Sequence, residues 1–180
     1  MPDDAEITAW AIAAGHGDQQ AAAAFIRATQ HQVQRMFLHL AGPADGLGLT
    51  RETYTRAMRE LPSIVARSSA WVWLLGIARQ VAVEHAQPEK LDGERHARPG
   101  RGQGVSLNAT DQLVNDLTWE QREAFVVTQM LGLSYAGAAA VCGCSVGDIR
   151  ARVAQARVSL VAAVGERPAP RSLGRNDAAG

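Results

Sequence analysis

Three arginines on one short stretch, Arg150, Arg152 and Arg157, are the side chains best placed to do chemistry. Guanidinium groups make bidentate, charge-assisted hydrogen bonds to phosphate. These three flank the small positions Gly147, Ala151, Ala154 and Val158, and Asp148 and Gln155 run along one edge. On a helix, such spacings put the small residues on one face. A thin helix rimmed by arginines can enter a major groove, where the guanidinium groups meet phosphates and the polar edge reads bases. The candidate duplex-contacting set is Ser145, Val146, Gly147, Asp148, Arg150, Ala151, Arg152, Gln155 and Arg157. The same residues also suit an ordinary helical hairpin with a solvated arginine face.

Other reactive groups lead nowhere. Cys142 and Cys144 are the only cysteines, and two residues apart they suit neither an ordinary disulfide nor a four-ligand zinc site. They read as small turn-filling residues in a reducing cytoplasm. The sequence carries no phosphate loop, metal cluster or nucleophile–base spacing, so no catalysis, cofactor or metal is expected.

The elements that must position the arginines are two helices and a tight turn. Ser134 can cap a short first helix from Tyr135 to Val141, rich in small residues that let another helix approach. Cys142-Gly143-Cys144 makes the turn, with Gly143 available for a positive φ. Ser145 stands where the second helix needs an N-cap. Ile149, Val153, Ala156, Leu160 and Val164 recur at spacings of three and four and are expected to point together into a core. Helix, turn and helix in this order are expected to form a DNA-binding unit of the helix-turn-helix kind, with the ordinary hairpin as the alternative.

The chain has 180 residues, enough for one domain or two small ones, and 47% are hydrophobic, which suits helical cores. It carries 18 basic and 18 acidic residues, so DNA affinity must come from local patches. No signal peptide is read at the N-terminus, and the most apolar run, Ala70 to Ala78, is too short to span a bilayer.

In order, a short helix from Ile7 to Ala14 stops at Gly15-His16-Gly17, and Asp18 can cap the next. That second helix reaches about Leu40 with Phe25, Thr29, Val33, Phe37 and Leu40 on one stripe. A third starts after Asp45-Gly46-Leu47-Gly48 and ends at Leu61-Pro62, burying Tyr54, Met58 and Leu61. A fourth runs from Ala70 to about Gln87, with Leu74, Ile77, Ala78, Val81 and a partly buried His85 inward, Arg79 and Gln80 outward. Residues 88–108 read as a flexible linker, rich in Gly, Arg and charge. Its 21 residues could span about 70 Å extended, roughly two duplex turns. A helix over Ala109 to Leu117 and the capping-box pattern Thr118…Gln121 open the second half. Residues 166–180 read as a disordered tail. The fold class is all-α: a bundle over 1–87, the linker, and a helix-turn-helix domain over 109–165.

A bundle, a polar linker and a C-terminal helix-turn-helix together resemble the extracytoplasmic-function (ECF) sigma factors of bacterial RNA polymerase, in the sigma-70 family. In the first half the resemblance rests on Ala14-Gly15-His16-Gly17-Asp18, on Arg51 to Ala57, on Ala66 to Ser69 and on Trp73 to Arg79. In the second half it rests on Leu117 to Ala124, Gly132 to Ala136, Val146 to Arg152 and Ala156-Arg157. It implies a regulatory protein of the cytoplasm, nucleoid-associated on polymerase, that directs the core enzyme to promoters. Its first domain would meet the beta-prime clamp and capture melted −10 DNA, while its second would hold the −35 duplex near the beta flap.

Carried over, Arg67, Ser68, Trp71, Trp73, Arg79 and Gln80 would handle the −10 strand, the tryptophans by stacking and the arginines at phosphates. The same tryptophans equally suit a core. The docking surface would comprise Asp45, Gly48, Arg51 and Glu52. Gly48 stands where the family usually has an acid and Arg51 where it has glutamine. Gly137 and Gln155 replace a usual glutamate and arginine. These departures leave a second reading, a degenerate sigma-like protein that binds a regulator; a stand-alone repressor would need a dimer helix that is not evident. The further partners are an anti-sigma factor or, because Ala178-Ala179 resembles a C-terminal degron, a protease adaptor. No membrane partner is expected.

Overall fold

A computed structural model describes residues 2–63, 69–86 and 109–165, all helices and turns with no strand among the described residues. Helix α1 (Asp4–Gly15) begins where Asp3 accepts a hydrogen bond from the Glu6 amide, three residues earlier than its apolar pattern suggests. Asp18 caps α2 (Gln19–Leu40) by accepting from Gln20 and Ala21, as expected. The α2 stripe Phe25, Thr29, Val33, Phe37 and Leu40 is buried throughout. Thr29 lies in hydrogen-bond contact with Tyr54 of α3 (Gly46–Glu60) at 2.6 Å, which satisfies both hydroxyls in the core.

Helix α3 begins at Gly46 and includes Gly48, earlier than the two glycines predict. Tertiary packing overrides their poor propensity here, because Thr50, Thr53, Tyr54 and Ala57 bury against the bundle. Met58 is only partly buried. A 3-10 turn, Leu61–Ser63, follows. Helix α4 (Ala70–Ala86) buries Trp71, Leu74, Ile77, Ala78 and Val81. His85 is exposed rather than partly buried, because it pairs with Asp45 across 3.2 Å at the bundle edge.

The second half holds α5 (Ala109–Asn115), α6 (Trp119–Phe125), a π-helical turn (Val126–Met130), α7 (Tyr135–Cys142) and α8 (Val146–Gly165). The capping box on α6 is present: Thr118 and Gln121 exchange side-chain and backbone bonds. The expected linker 88–108, the tail 166–180 with Ala178-Ala179, and Arg67 and Ser68 lie outside the described residues. No described helix is long and apolar enough to cross a membrane.

The two halves pack directly on each other. Helix α4 lies against α7, while α2 meets α5, α6 and the π-turn. Buried residues of both halves therefore join in one apolar cluster.

Candidate nucleic-acid interface

The helix-turn-helix is built by local hydrogen bonds that the sequence specifies. Ser134 accepts from the Gly137 amide at 3.1 Å and so starts α7. Gly143 ends it in the left-handed region, φ 63°, and its amide closes on the Ala139 carbonyl. A side chain there would be strained. The Ser145 hydroxyl accepts from the Asp148 amide at 3.1 Å, while the Asp148 carboxylate accepts from the Ser145 amide and hydroxyl at 3.0 and 2.7 Å. This reciprocal cap satisfies donors at the start of α8. The bonds from Ser145 hold the Asp148 carboxyl below its ordinary value. Asp148 thus shapes the helix end as well as lying on the candidate face.

Burial separates the two faces of α8. Ile149, Val153 and Ala156 are buried, whereas Leu160 is partly buried and Val164 is 59% exposed. The expected inward stripe therefore stops short, because α8 outruns the elements that cover it. Ser145, Val146, Gly147, Arg150, Ala151, Gln155 and Arg157 are exposed. Arg150 makes no hydrogen bond or ion pair among the described residues, so its guanidinium is open to solvent. Arg157 donates to Gln129 of the π-turn at 2.8 Å, which holds the guanidinium beside the helix. Arg152 is half-buried and donates to the Cys144 sulfur at 3.7 Å. Burial, ahead of the nearby Glu123 charge, raises the Cys142 thiol to about 12, so it stays protonated.

The candidate −10 residues are arranged differently. Trp71 is 6% exposed and belongs to the core. Trp73 is partly buried and lines a groove of about 540 Å³ between Gly76 and Gln80 of α4, Glu60 of α3 and Ala140 of α7. Gln80 is exposed and donates to Glu84 at 3.1 Å. Arg79, expected to point outward, turns onto Glu123 of α6, with Nε 2.5 Å from the carboxylate. Glu123 is 1% exposed, and burial pushes its carboxyl upward despite the Arg79 and Arg152 charges that oppose the shift. One buried carboxylate of the C-terminal half therefore holds an arginine of the candidate −10 set, and the Arg152 charge acts on it as well.

Sequence reasoning missed Glu123. Its signal was its place on the apolar side of α6, four residues from both Trp119 and Val127. His39 and Arg122 were missed as well. Arg122 donates to the Asn115 and Leu117 carbonyls at 2.6 and 2.9 Å and to the His39 carbonyl at 3.5 Å. His39 is 2% exposed, 3.8 Å from Asp111, and burial lowers its pKa.

On the candidate docking surface, Arg51 and Gly48 are exposed, and a Cβ at Gly48 would meet open space. Glu52 pairs with Arg56 at 2.8 Å, and Arg56 also reaches Glu84 at 2.8 Å. Asp45 is the partner of His85 described above. Both acids thus have partners within the chain itself, a guanidinium for Glu52 and an imidazole for Asp45. No group of His, Cys, Asp and Glu among the described residues could hold a metal ion.

Residues 107–160 match the family model described as sigma-70, region 4. The chain is 47% identical over 174 residues to the ECF RNA polymerase sigma factor SigC of Mycobacterium tuberculosis, covering 89% of this chain and 92% of that protein. It is 32% identical over 135 residues to the ECF RNA polymerase sigma factor EcfG of Rhodopseudomonas palustris, covering 69% and 75%. Among solved structures, CnrH in complex with the cytosolic domain of CnrY superposes with a TM-score of 0.73 at 20% identity, covering 91% of this chain and 99% of that one. The sigma factor RpoE of Bartonella quintana, in complex with the anti-sigma factor NepR, gives 0.67 at 24% identity, covering 79% and 96%. Both likenesses bear on the fold.

Proposed function

This chain belongs to the ECF RNA polymerase sigma factors of the sigma-70 family, and from that premise we propose how its surfaces divide the work of initiation. As a sigma factor it directs core polymerase to specific promoters. In our reading α8 lies in the major groove of the −35 element, with Gly147 and Ala151 allowing close approach. Arg150, Arg152 and Arg157 meet phosphates, and Gln155 with the residues from Ser145 to Asp148 faces base edges. The observation that carries this assignment is the exposed, small-residue face of α8, seated on a buried Ile149–Val153–Ala156 stripe.

The N-terminal bundle takes the melted −10 strand along Trp73 and Gln80, joined by Arg79 once its guanidinium leaves Glu123, with Arg67 and Ser68 preceding them. Trp71 supports this surface from the core rather than stacking on a base, as its burial indicates. The start of α3, with Asp45, Gly48, Arg51 and Glu52, docks on the beta-prime clamp, and the C-terminal domain approaches the beta flap. The protein works in the cytoplasm, on polymerase and promoter DNA and without catalysis of its own. An anti-sigma factor is a fitting regulator, since the structural relative RpoE was captured with one. Run-off transcription with purified core polymerase on genomic promoters tests the reading. Sigma-dependent transcripts are expected, and they should fall sharply when Arg150 and Gln155 are both changed to alanine. Transcripts indifferent to that change would remove α8 from promoter recognition.

A further inference from the structure

The motif around Gly15 is not explained by DNA or polymerase contact, yet the packing of α1 gives it a use. Asp4, Thr8, Ala11 and Gly15 recur at spacings of four, three and four, so they form a single stripe along α1. That stripe faces both ends of the connection between α3 and α4. At one end, Gly15 lies against the 3-10 turn so closely that a Cβ would come within 2.6 Å of the Leu61 carbonyl oxygen. In the middle, Ala11 is fully buried. At the other end, the Ser69 hydroxyl donates to Asp4 at 2.5 Å, and the Ala70 amide donates to Thr8 Oγ1 at 3.1 Å. The same Ser69 oxygen accepts from the Val72 amide at 3.0 Å.

We propose that α1 is a splint for the −10 surface, with Asp4 and Thr8 acting as positioning residues for the first turn of α4. This rests on the reading that α4 presents Trp73, Arg79 and Gln80 to the melted strand. Ser69 alone would cap the helix. The added bonds from Asp4 and Thr8 tie that cap to a second rigid element. From Asp4 to Gly15 a helix rises about 16 Å, at ~1.5 Å per residue, and this length sets the distance between the two attachment points. Because Gly15 abuts backbone rather than a flexible side chain, the far attachment cannot slide. Helix α1 thereby fixes where α4 begins and which way Trp73 faces, without touching DNA.

The test uses holoenzyme assembled from core polymerase and full-length protein carrying Thr8→Val, or Thr8→Val with Asp4→Ala. Binding is measured to a fork promoter with a single-stranded −10 element and to the same fork with a scrambled −10 sequence. Wild type should discriminate between the two. The double variant should lose about five- to tenfold of that ratio, the scale of a lost helix cap. Affinity for core polymerase and for the scrambled fork should be retained. Thr8→Ser keeps the acceptor oxygen and should restore discrimination. Gly15→Ala, acting at the opposite end, should lower the ratio with Asp4 and Thr8 intact. An unchanged ratio in a discriminating system overturns the proposal, as does an equal loss on both forks and on core, which would mark a general folding defect. A wild-type holoenzyme that ignores the −10 sequence instead refutes the −10 reading beneath it.

Discussion

Glu123→Gln is the most informative single perturbation of this molecule. The carboxylate sits on the C-terminal half and accepts from Arg79 of the N-terminal half at 2.5 Å. The side chains are 1% and 30% exposed, so the pair is neither fully buried nor at the open surface. Removing one partner of a fully buried pair costs ~3–5 kcal/mol, which sets a ceiling. Two facts bring the figure below it: water reaches Arg79, and glutamine keeps an acceptor oxygen. A charge-assisted hydrogen bond contributes ~1.5–3 kcal/mol and a neutral one ~0.5–1.5, so the substitution should weaken the seam by about 1–2 kcal/mol. That shifts the balance between packed and parted halves by about five- to thirtyfold. Hydrogen exchange on the full-length chain reads this directly. Amides of α4 and α7 that face each other should exchange faster by that factor, while those inside the α2–α3 core should not change. Arg79→Ala should do the same, and the double variant should add little to either single change. Exchange that is unchanged at α4 and α7 would refute the reasoning. So would a uniform rise through α6, α7 and α8, which would make Glu123 a support of its own domain only.

Three further outcomes follow from the geometry. Arg150→Ala, Arg152→Ala and Arg157→Ala should each reduce the log–log salt slope of −35 duplex binding by about 0.9, and unchanged slopes would remove these arginines from the phosphate contacts. Burial depresses the His39 pKa below 6.5, so its contribution to stability is present above 6.5 and is lost as pH falls through the lowered folded value. Wild type should therefore lose thermal stability relative to His39→Gln as pH falls below 6.5, and parallel pH profiles for the two would contradict this. Gly48→Asp with Arg51→Gln should tighten binding to core polymerase severalfold, since each exposed charge contributes only ~0.2–1 kcal/mol, and equal affinities would remove the start of α3 from the interface.

Much of this was legible in the sequence because it is local. The caps at Asp18, Thr118, Ser134 and Ser145 and the turn glycine Gly143 are set by residues within a few positions of one another. The stripes of α2 and α8 follow from helical period, except where α8 extends past its cover and leaves Val164 exposed. What escaped was tertiary. Arg79 reads as outward on α4, because nothing near it in the sequence announces a carboxylate 44 residues away. His85 looks apolar by position, yet Asp45 draws it to the edge. Gly15 reads as a helix stop, and only the Leu61 carbonyl opposite shows why no larger residue fits.

The polar contacts across the seam are unequal in kind. At its α4 edge stands the Arg79–Glu123 bond. At its α2 edge Arg122 reaches the His39 carbonyl at only 3.5 Å, and His39 stands 3.8 Å from Asp111. Arg122 keeps two shorter bonds to its own half when that long contact is given up. The α4 edge is thus the one where a full charge of one half meets a full charge of the other. A phosphate competing for Arg79 would act on that bond, so a nucleic-acid strand drawn to Arg79 would loosen the seam from its α4 edge.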